Sequence, residues 1–174
     1  MKKIINLLTS LSLSLLIIFF IYIIIGSLIS NSKNELFKVF GYSLATTPTD
    51  SMKGNNPDNF DEGEIIIITD YDYDKLEIGD VIVFKDNQNE KLIIHRIVGK
   101  DDLGFITKGD NNPHNDLGHV NKKDYQGKYL THYKFFNIGL WINELKLVTL
   151  SIVMIILIVL LIKEIKILRN KRLY

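Results

Sequence analysis

Three short stretches carry side chains that could do chemistry. Ser51 sits in Thr47-Pro48-Thr49-Asp50-Ser51-Met52-Lys53-Gly54, a polar, turn-like piece just ahead of an apolar run. A nucleophile needs such an exposed bend so that a carbonyl can reach it; by composition this is equally an ordinary loop serine. His95 lies inside Ile93-Ile94-His95-Arg96-Ile97-Val98. Strand alternation puts it on the face of Ile93 and Ile97, with Ile94, Arg96 and Val98 opposite. An imidazole there is either a core histidine with both nitrogens satisfied or a general base on a rigid strand. The third stretch, Lys108-Gly109-Asp110-Asn111-Asn112-Pro113-His114-Asn115-Asp116, holds two carboxylates six residues apart. Either Asp110 or Asp116 could accept the second imidazole N–H and fix its tautomer. The same composition also suits an Asx-rich turn. A metal-dependent hydrolase built on His95, His114, His119, Asp110 and Asp116 is the competing chemistry, but their spacing matches no strong metal motif. The chain has no cysteine, which excludes thiolate catalysis, thiolate-bound zinc and disulfides.

These stretches need elements to hold them, and the sequence between residues 33 and 144 predicts mostly strands. Glu64 to Thr69, Asp80 to Lys85, Lys91 to Val98 and Leu103 to Lys108 are β-branched or apolar runs. Turn-rich pieces separate them: Asn55-Asn56-Pro57-Asp58, Asp86-Asn87-Gln88-Asn89, Lys100-Asp101-Asp102 and Gly109-Asp110-Asn111-Asn112-Pro113. No helix of any length is signalled there. The region is acidic, with 14 Lys+Arg against 19 Asp+Glu between Ser27 and Lys146. That balance argues against nucleic acid as a partner, since phosphate binding needs a basic face.

The two ends differ sharply from the middle. Ile4 to Ser32 contains no charged residue, long enough for a bilayer span of about 20 residues. A cleaved signal peptide would have a shorter apolar core and a small-x-small site; Gly26-Ser27-Leu28-Ile29-Ser30 matches that poorly, so residues 1–32 are expected to be an uncleaved anchor. Leu147 to Ile162 is a second charge-free run of 16 residues, expected to span with Lys146 and Lys163 snorkelling at its ends. Phe135, Phe136 and Trp141 stand just upstream, where an interfacial aromatic belt would lie. Lys2 and Lys3 flank one span, and Lys163, Lys166, Arg169, Lys171 and Arg172 follow the other. The positive-inside rule then puts both termini in the cytoplasm and residues 33–144 outside. Residues 145–174 form the second span and its basic cytoplasmic tail.

Taken in order, the stretches between Gly41 and Val120 resemble the type I signal peptidases, in the branch typified by the endoplasmic-reticulum enzymes and signal peptidase W. Ser51-Met52 looks like the nucleophile box. Gly79-Asp80-Val81-Ile82-Val83-Phe84-Lys85 looks like the strand box that follows. Ile94-His95-Arg96-Ile97-Val98 looks like the box in which this branch carries His rather than Lys. Lys108-Gly109-Asp110-Asn111-Asn112, with Asp116 beyond it, looks like the last box. Asp50 stands where the family usually has a small residue, and Gly54 near where it has a proline.

The resemblance implies a mostly β extracytoplasmic catalytic domain of the signal-peptidase kind, anchored by two transmembrane helices. It implies a multi-pass serine endopeptidase of the cell membrane that removes signal peptides from exported preproteins, with no cofactor. Ser51 would be the nucleophile and His95 the base. Asp116, in preference to Asp110, would partner His95; the Ser51 N–H and the Thr49 hydroxyl would bind the oxyanion. Expected partners are preproteins with signal peptides, the lipid bilayer and the secretion translocon. A non-enzymatic two-span β-domain, acting as scaffold or accessory subunit that binds preproteins, is the alternative of a different kind.

Overall fold

The computed structural model describes residues 2–86, 90–134 and 138–170. Helix α1 spans Lys2–Lys33. Strands follow at Tyr42–Thr46 (β1), Ile65–Thr69 (β2), Val81–Lys85 (β3), Leu92–Asp101 (β4), Gly104–Lys108 (β5) and Tyr125–Tyr133 (β6). A 3-10 turn, Tyr73–Lys75, precedes β3, and helix α2 covers Ile138–Asn170. Residues 29–144 form one compact unit, distinct from the helical unit made by the chain ends.

The six strands form one antiparallel sheet in the order β1-β2-β6-β3-β4-β5. β3 is central and buried along Val81–Phe84, which explains its unbroken apolar run: both of its faces are covered. Val81 and Val83 join Met52, Phe60, Ile66 and Ile68 in one cluster, while Ile82 and Phe84 join Leu76, Ile97, Phe105 and Val120 in another. Alternation along β3 therefore divides the core between the two sides of the sheet. Burying each of these side chains contributes about 1.5–3 kcal/mol.

All four sequence-predicted strands form, with ends shifted by a residue or so, except that β4 runs on through Lys100 and Asp101, which the sequence predicts to be a turn. A bulge between Ile97 and Gly99 lets β4 continue against β5. Two strands escape the sequence reading. β1 (Y-S-L-A-T) lies at the sheet edge with Leu44 exposed, so it lacks an apolar repeat. β6 (Y-Q-G-K-Y-L-T-H-Y) lies inside the sheet between β2 and β3, yet its polar residues and Gly127 hide it. Its register shifts opposite Ile67/Ile68, pairing Ile68 with Tyr129 and Ile66 with His132. That bulge turns Tyr129 and His132 to one face although they are three apart, and the Tyr129 hydroxyl meets His132 Nδ1 at 2.6 Å.

Among the described residues one segment, Leu7–Lys33, is long and apolar enough to cross a membrane by length and composition. It matches the expected first span. The second expected span, 147–162, lies within α2, which is helical throughout. Of the expected aromatic belt, Phe135 and Phe136 lie outside the described residues, and Trp141 falls in the first turn of α2.

Candidate active site

β4 supplies the centre of the site. His95 is 7% exposed and pairs across the ladder with Ile82 of β3; Arg96, the next residue, pairs with Val81. Consecutive strand residues face opposite ways, so the imidazole and the guanidinium emerge on opposite sides of the sheet. The pairing of β4 with β5 begins at Arg96↔Lys108. Just past that point the chain leaves β5 at Gly109 and turns back over the end of the sheet.

Gly109 is the point at which the site closes up. A Cβ built there would stand 2.8 Å from His95 Nε2, 2.8 Å from the Ser51 carbonyl oxygen and 2.7 Å from Asn112 Nδ2. The imidazole and the Ser51 backbone thus converge on the space that a glycine leaves open. Ser51 is half-buried in a turn, closed by the Lys53 N–H donating to the Asp50 carbonyl at 3.0 Å. The Asn111 N–H donates to the Ser51 carbonyl at 2.9 Å, which fastens that turn to the segment after β5. Met52, fully buried, anchors the turn in the core. The Thr49 hydroxyl donates to Ser51 Oγ at 3.3 Å.

The two aspartates part company. Asp116 Oδ2 lies 2.7 Å from His95 Nδ1 and also accepts the Thr107 hydroxyl at 2.7 Å. Its N–H donates to the Thr107 carbonyl at 2.8 Å, which ties it to β5. Burial pushes the Asp116 carboxyl up, but the hydrogen bonds from His95 and Thr107, with the charge of His95, outweigh burial and hold it below the usual carboxylate range. An ionised carboxylate only accepts hydrogen bonds. Nδ1 therefore carries a hydrogen, and Nε2 is the nitrogen turned toward the Ser51 turn.

Asp110 faces the other way, to Arg96. Arg96 Nε donates to both Asp110 oxygens at 3.0 and 3.2 Å, and Nη2 to Asp110 Oδ2 at 2.7 Å. The same guanidinium reaches Asp58 through Nη1 at 2.6 Å and Nη2 at 2.9 Å, and the Gly79 carbonyl at 2.7 Å. Buried Asn59 adds a bond from Nδ2 to Asp110 Oδ2 and accepts the Asn56 N–H at 2.6 Å. Burial again pushes the Asp110 carboxyl up, and the contacts from Arg96 and Asn59 bring it below its ordinary value. Asp110 is thus part of a clamp joining the loop after Ser51, the turn before β3 and the turn after β5.

Asp50 spends its carboxylate on the Glu62 N–H at 2.8 Å and on Lys53 at 3.3 Å, which hold it below its usual range. Its charge is tied into the loop rather than turned at the imidazole. Of the three other histidines, His119 pairs with Asp101 at 2.8 Å, His132 meets the Tyr129 hydroxyl, and His114 is exposed. Among the described residues no three His, Asp or Glu side chains gather as metal ligands.

Sequence reasoning missed Thr107, Asp58, Asn59 and the closeness of Gly109. Thr107 was the findable one, because it shares the inner face of β5 with Phe105, where a hydroxyl needs a partner. Asp58 and Asn59 lie 38 and 51 residues from their partners in the chain, and no local pattern announces such pairs.

A serine on a turn, an imidazole nitrogen near its backbone and a carboxylate behind the imidazole are together the equipment of acyl transfer. Known proteins point the same way. The signal peptidase complex catalytic subunit SEC11C of Homo sapiens is 32% identical over 89 residues, covering 44% of this chain and 46% of that protein. The same figures hold for the Mus musculus protein. Signal peptidase I W of Bacillus subtilis is 35% identical over 96 residues, 52% of this chain and 48% of that protein. The chain thus spans about half the length of the curated relatives it matches, and no family model matches it. These similarities support the type I signal peptidase family for this chain.

Proposed function

We propose that this protein is a membrane-bound serine endopeptidase that removes signal peptides from exported preproteins. The observation that carries this is the convergence of His95 Nε2 and the Ser51 backbone on Gly109, with Asp116 on the far imidazole nitrogen. In the proposed mechanism Ser51 Oγ attacks the scissile carbonyl and His95 Nε2 takes its proton. The imidazolium formed is stabilised by Asp116, itself held by Thr107. His95 then gives the proton to the leaving amine, and water deacylates the enzyme. The Ser51 N–H, with the Thr49 hydroxyl, is the proposed donor set for the oxyanion. Among the described residues Leu92 to His95 pair with β3 while β5 pairs with β4 from Arg96 onward, and an extended substrate is proposed to lie along that edge of β4.

The relatives' names, a catalytic subunit and a signal peptidase, favour the enzyme over the accessory-subunit alternative. Preproteins are the proposed substrates, and the secretion translocon a partner at the membrane. Two helices are the proposed anchors, α1 and the 147–162 part of α2. In the latter, Val148, Ile152, Ile155, Ile156, Ile158, Val159, Leu160 and Ile162 are exposed and together cover more than half of its circumference, as expected of a helix solvated by lipid. Both termini would be cytoplasmic and the sheet extracytoplasmic. Confinement to the membrane plane raises the effective concentration of a substrate whose apolar segment stays in the bilayer. The test is incubation of the detergent-solubilised chain with a preprotein, wild type beside Ser51→Ala. Cleavage is expected only with the wild type; equal cleavage by both would end the serine-protease proposal.

A further inference from the structure

Among the described residues, the two carbonyls that flank the Ser51 Cα are held from outside the turn by a single residue. Asn111 donates its main-chain N–H to the Ser51 carbonyl at 2.9 Å and its side-chain Nδ2 to the Asp50 carbonyl at 3.2 Å. It therefore grips two successive carbonyls, on either side of the nucleophile's Cα. The second grip has a geometric consequence. The peptide joining Asp50 to Ser51 is planar and trans, so its C=O and N–H point in opposite directions. Fixing the direction of the Asp50 carbonyl fixes that of the Ser51 N–H. That N–H meets no acceptor among the described residues, so it is free to serve a ligand.

The Lys53 N–H also bonds the Asp50 carbonyl, at 3.0 Å, but that bond lies within the turn and sets only its internal shape. Asn111 Nδ2 comes from the segment after β5, two residues beyond Gly109, where a Cβ would stand 2.8 Å from both His95 Nε2 and the Ser51 carbonyl. It relates the peptide plane to the imidazole. The choice of side chain fits this role. Aspartate would set a carboxylate oxygen against a carbonyl oxygen, and alanine has no donor. Asn111 is exposed, and no core packing explains its position.

We infer that Asn111 is a positioning residue whose side chain aims the Ser51 N–H at the oxyanion formed during acyl transfer. The inference rests on the proposal that Ser51 is the nucleophile. Removing a donor that touches an oxyanion costs about 10²–10³ in rate. Loosening its aim, with the Lys53 bond still present, is expected to cost about ten-fold.

The experiment compares the full-length, detergent-solubilised chain with Asn111→Ala, Asn111→Asp and Ser51→Ala. It measures kcat and KM on a preprotein, inhibition by a peptide aldehyde matching the cut site, and thermal stability. The serine hydroxyl adds across the aldehyde C=O to give a tetrahedral hemiacetal whose oxygen occupies the oxyanion position, so its affinity reports on the donors there. Both Asn111 variants keep the main-chain bond to Ser51. They are expected to lose about ten-fold in kcat and a similar factor in aldehyde affinity, with KM and Tm unchanged. Wild-type kcat in both would overturn the inference. So would a loss of Tm that accounts for the lost rate, or a rise in KM alone, since either would give Asn111 another role. Unchanged cleavage by Ser51→Ala would instead remove the proposal beneath the inference. An inactive Ser51→Ala beside fully active Asn111 variants would remove the inference alone.

Discussion

At the scale of the residue, the site depends on one missing methyl group. In Gly109→Ala the new Cβ would press on His95 Nε2 and on the Ser51 carbonyl. The imidazole is held from behind by Asp116 and the Ser51 turn is anchored by buried Met52, so neither can retreat without losing a contact. Turnover of Gly109→Ala is expected to fall by about 10² or more, the cost of a misplacement on the order of 1 Å. A preprotein cleavage assay on folded protein checks this; wild-type turnover would mean the two groups do not act together. Asp116→Asn keeps the shape but removes the charge and lets the imidazole adopt the wrong tautomer. It is expected to lower kcat by about 10⁴, as the equivalent change does in serine triads, with a smaller loss of Tm because the ionised carboxylate also stabilises the fold. Nearly full turnover by Asp116→Asn would show that His95 does not need this partner.

At the scale of the element, the clamp around Arg96 binds three connections to β4. Hydrogen bonds to charged groups contribute about 1.5–3 kcal/mol each where they are shielded from solvent, but Asp58 is 36% exposed and its share is discounted for screening. Asp110 is the better-shielded partner. Asp110→Asn should therefore lower both Tm and turnover, and Asp58→Asn should lower Tm less, with thermal melts of the two variants side by side as the check. The acid limb of stability follows from the same groups. Asp110 and Asp116 both have carboxyl pKa values depressed in the folded state. Their contribution is fully present above the unfolded value of about 3.9 and is lost as pH falls through the lower folded values. A plot of Tm against pH below about 4 should accordingly be shallower in Asp110→Asn than in the wild type; an unchanged slope would disconnect Asp110 from acid stability. Inside the sheet, a Cβ on Gly127 of β6 would meet Ile68 Cγ2 at 2.7 Å and the Thr69 carbonyl at 3.0 Å.

At the scale of the whole molecule, the proposed topology can be read out cleanly because the chain has no cysteine of its own. Single cysteines introduced as Lys3→Cys, Leu103→Cys and Lys171→Cys would be the only thiols. In intact cells a membrane-impermeant maleimide is expected to label Leu103→Cys alone, and all three after lysis. Labelling of Lys171→Cys in intact cells would remove the second span and leave α1 as the anchor. The 29–144 unit carries Ser51, His95 and Asp116 together, so the helices are expected to govern access to substrate rather than the geometry of the site.

The sequence by itself determined the apolar ends, four of the six strands and the side chains able to do chemistry, because each is written in local pattern. A charge-free run, a β-branched run and an imidazole on the inner face of a strand all follow from neighbours a few residues apart. β6 escaped because its place inside the sheet is set by a bulge and by pairing with β2 and β3, more than 40 residues away. The division of labour between the two aspartates was likewise beyond local reading, since both sit in one polar loop and either could serve. Tertiary structure decided it. Alternation along β4 sends His95 and Arg96 to opposite faces, and the chain rounding the end of β5 at Gly109 offers Asp110 to the guanidinium and Asp116 to the imidazole. Which carboxylate meets which cation depends on the path of a backbone through space, and that path is fixed by the sheet rather than by the residues beside it.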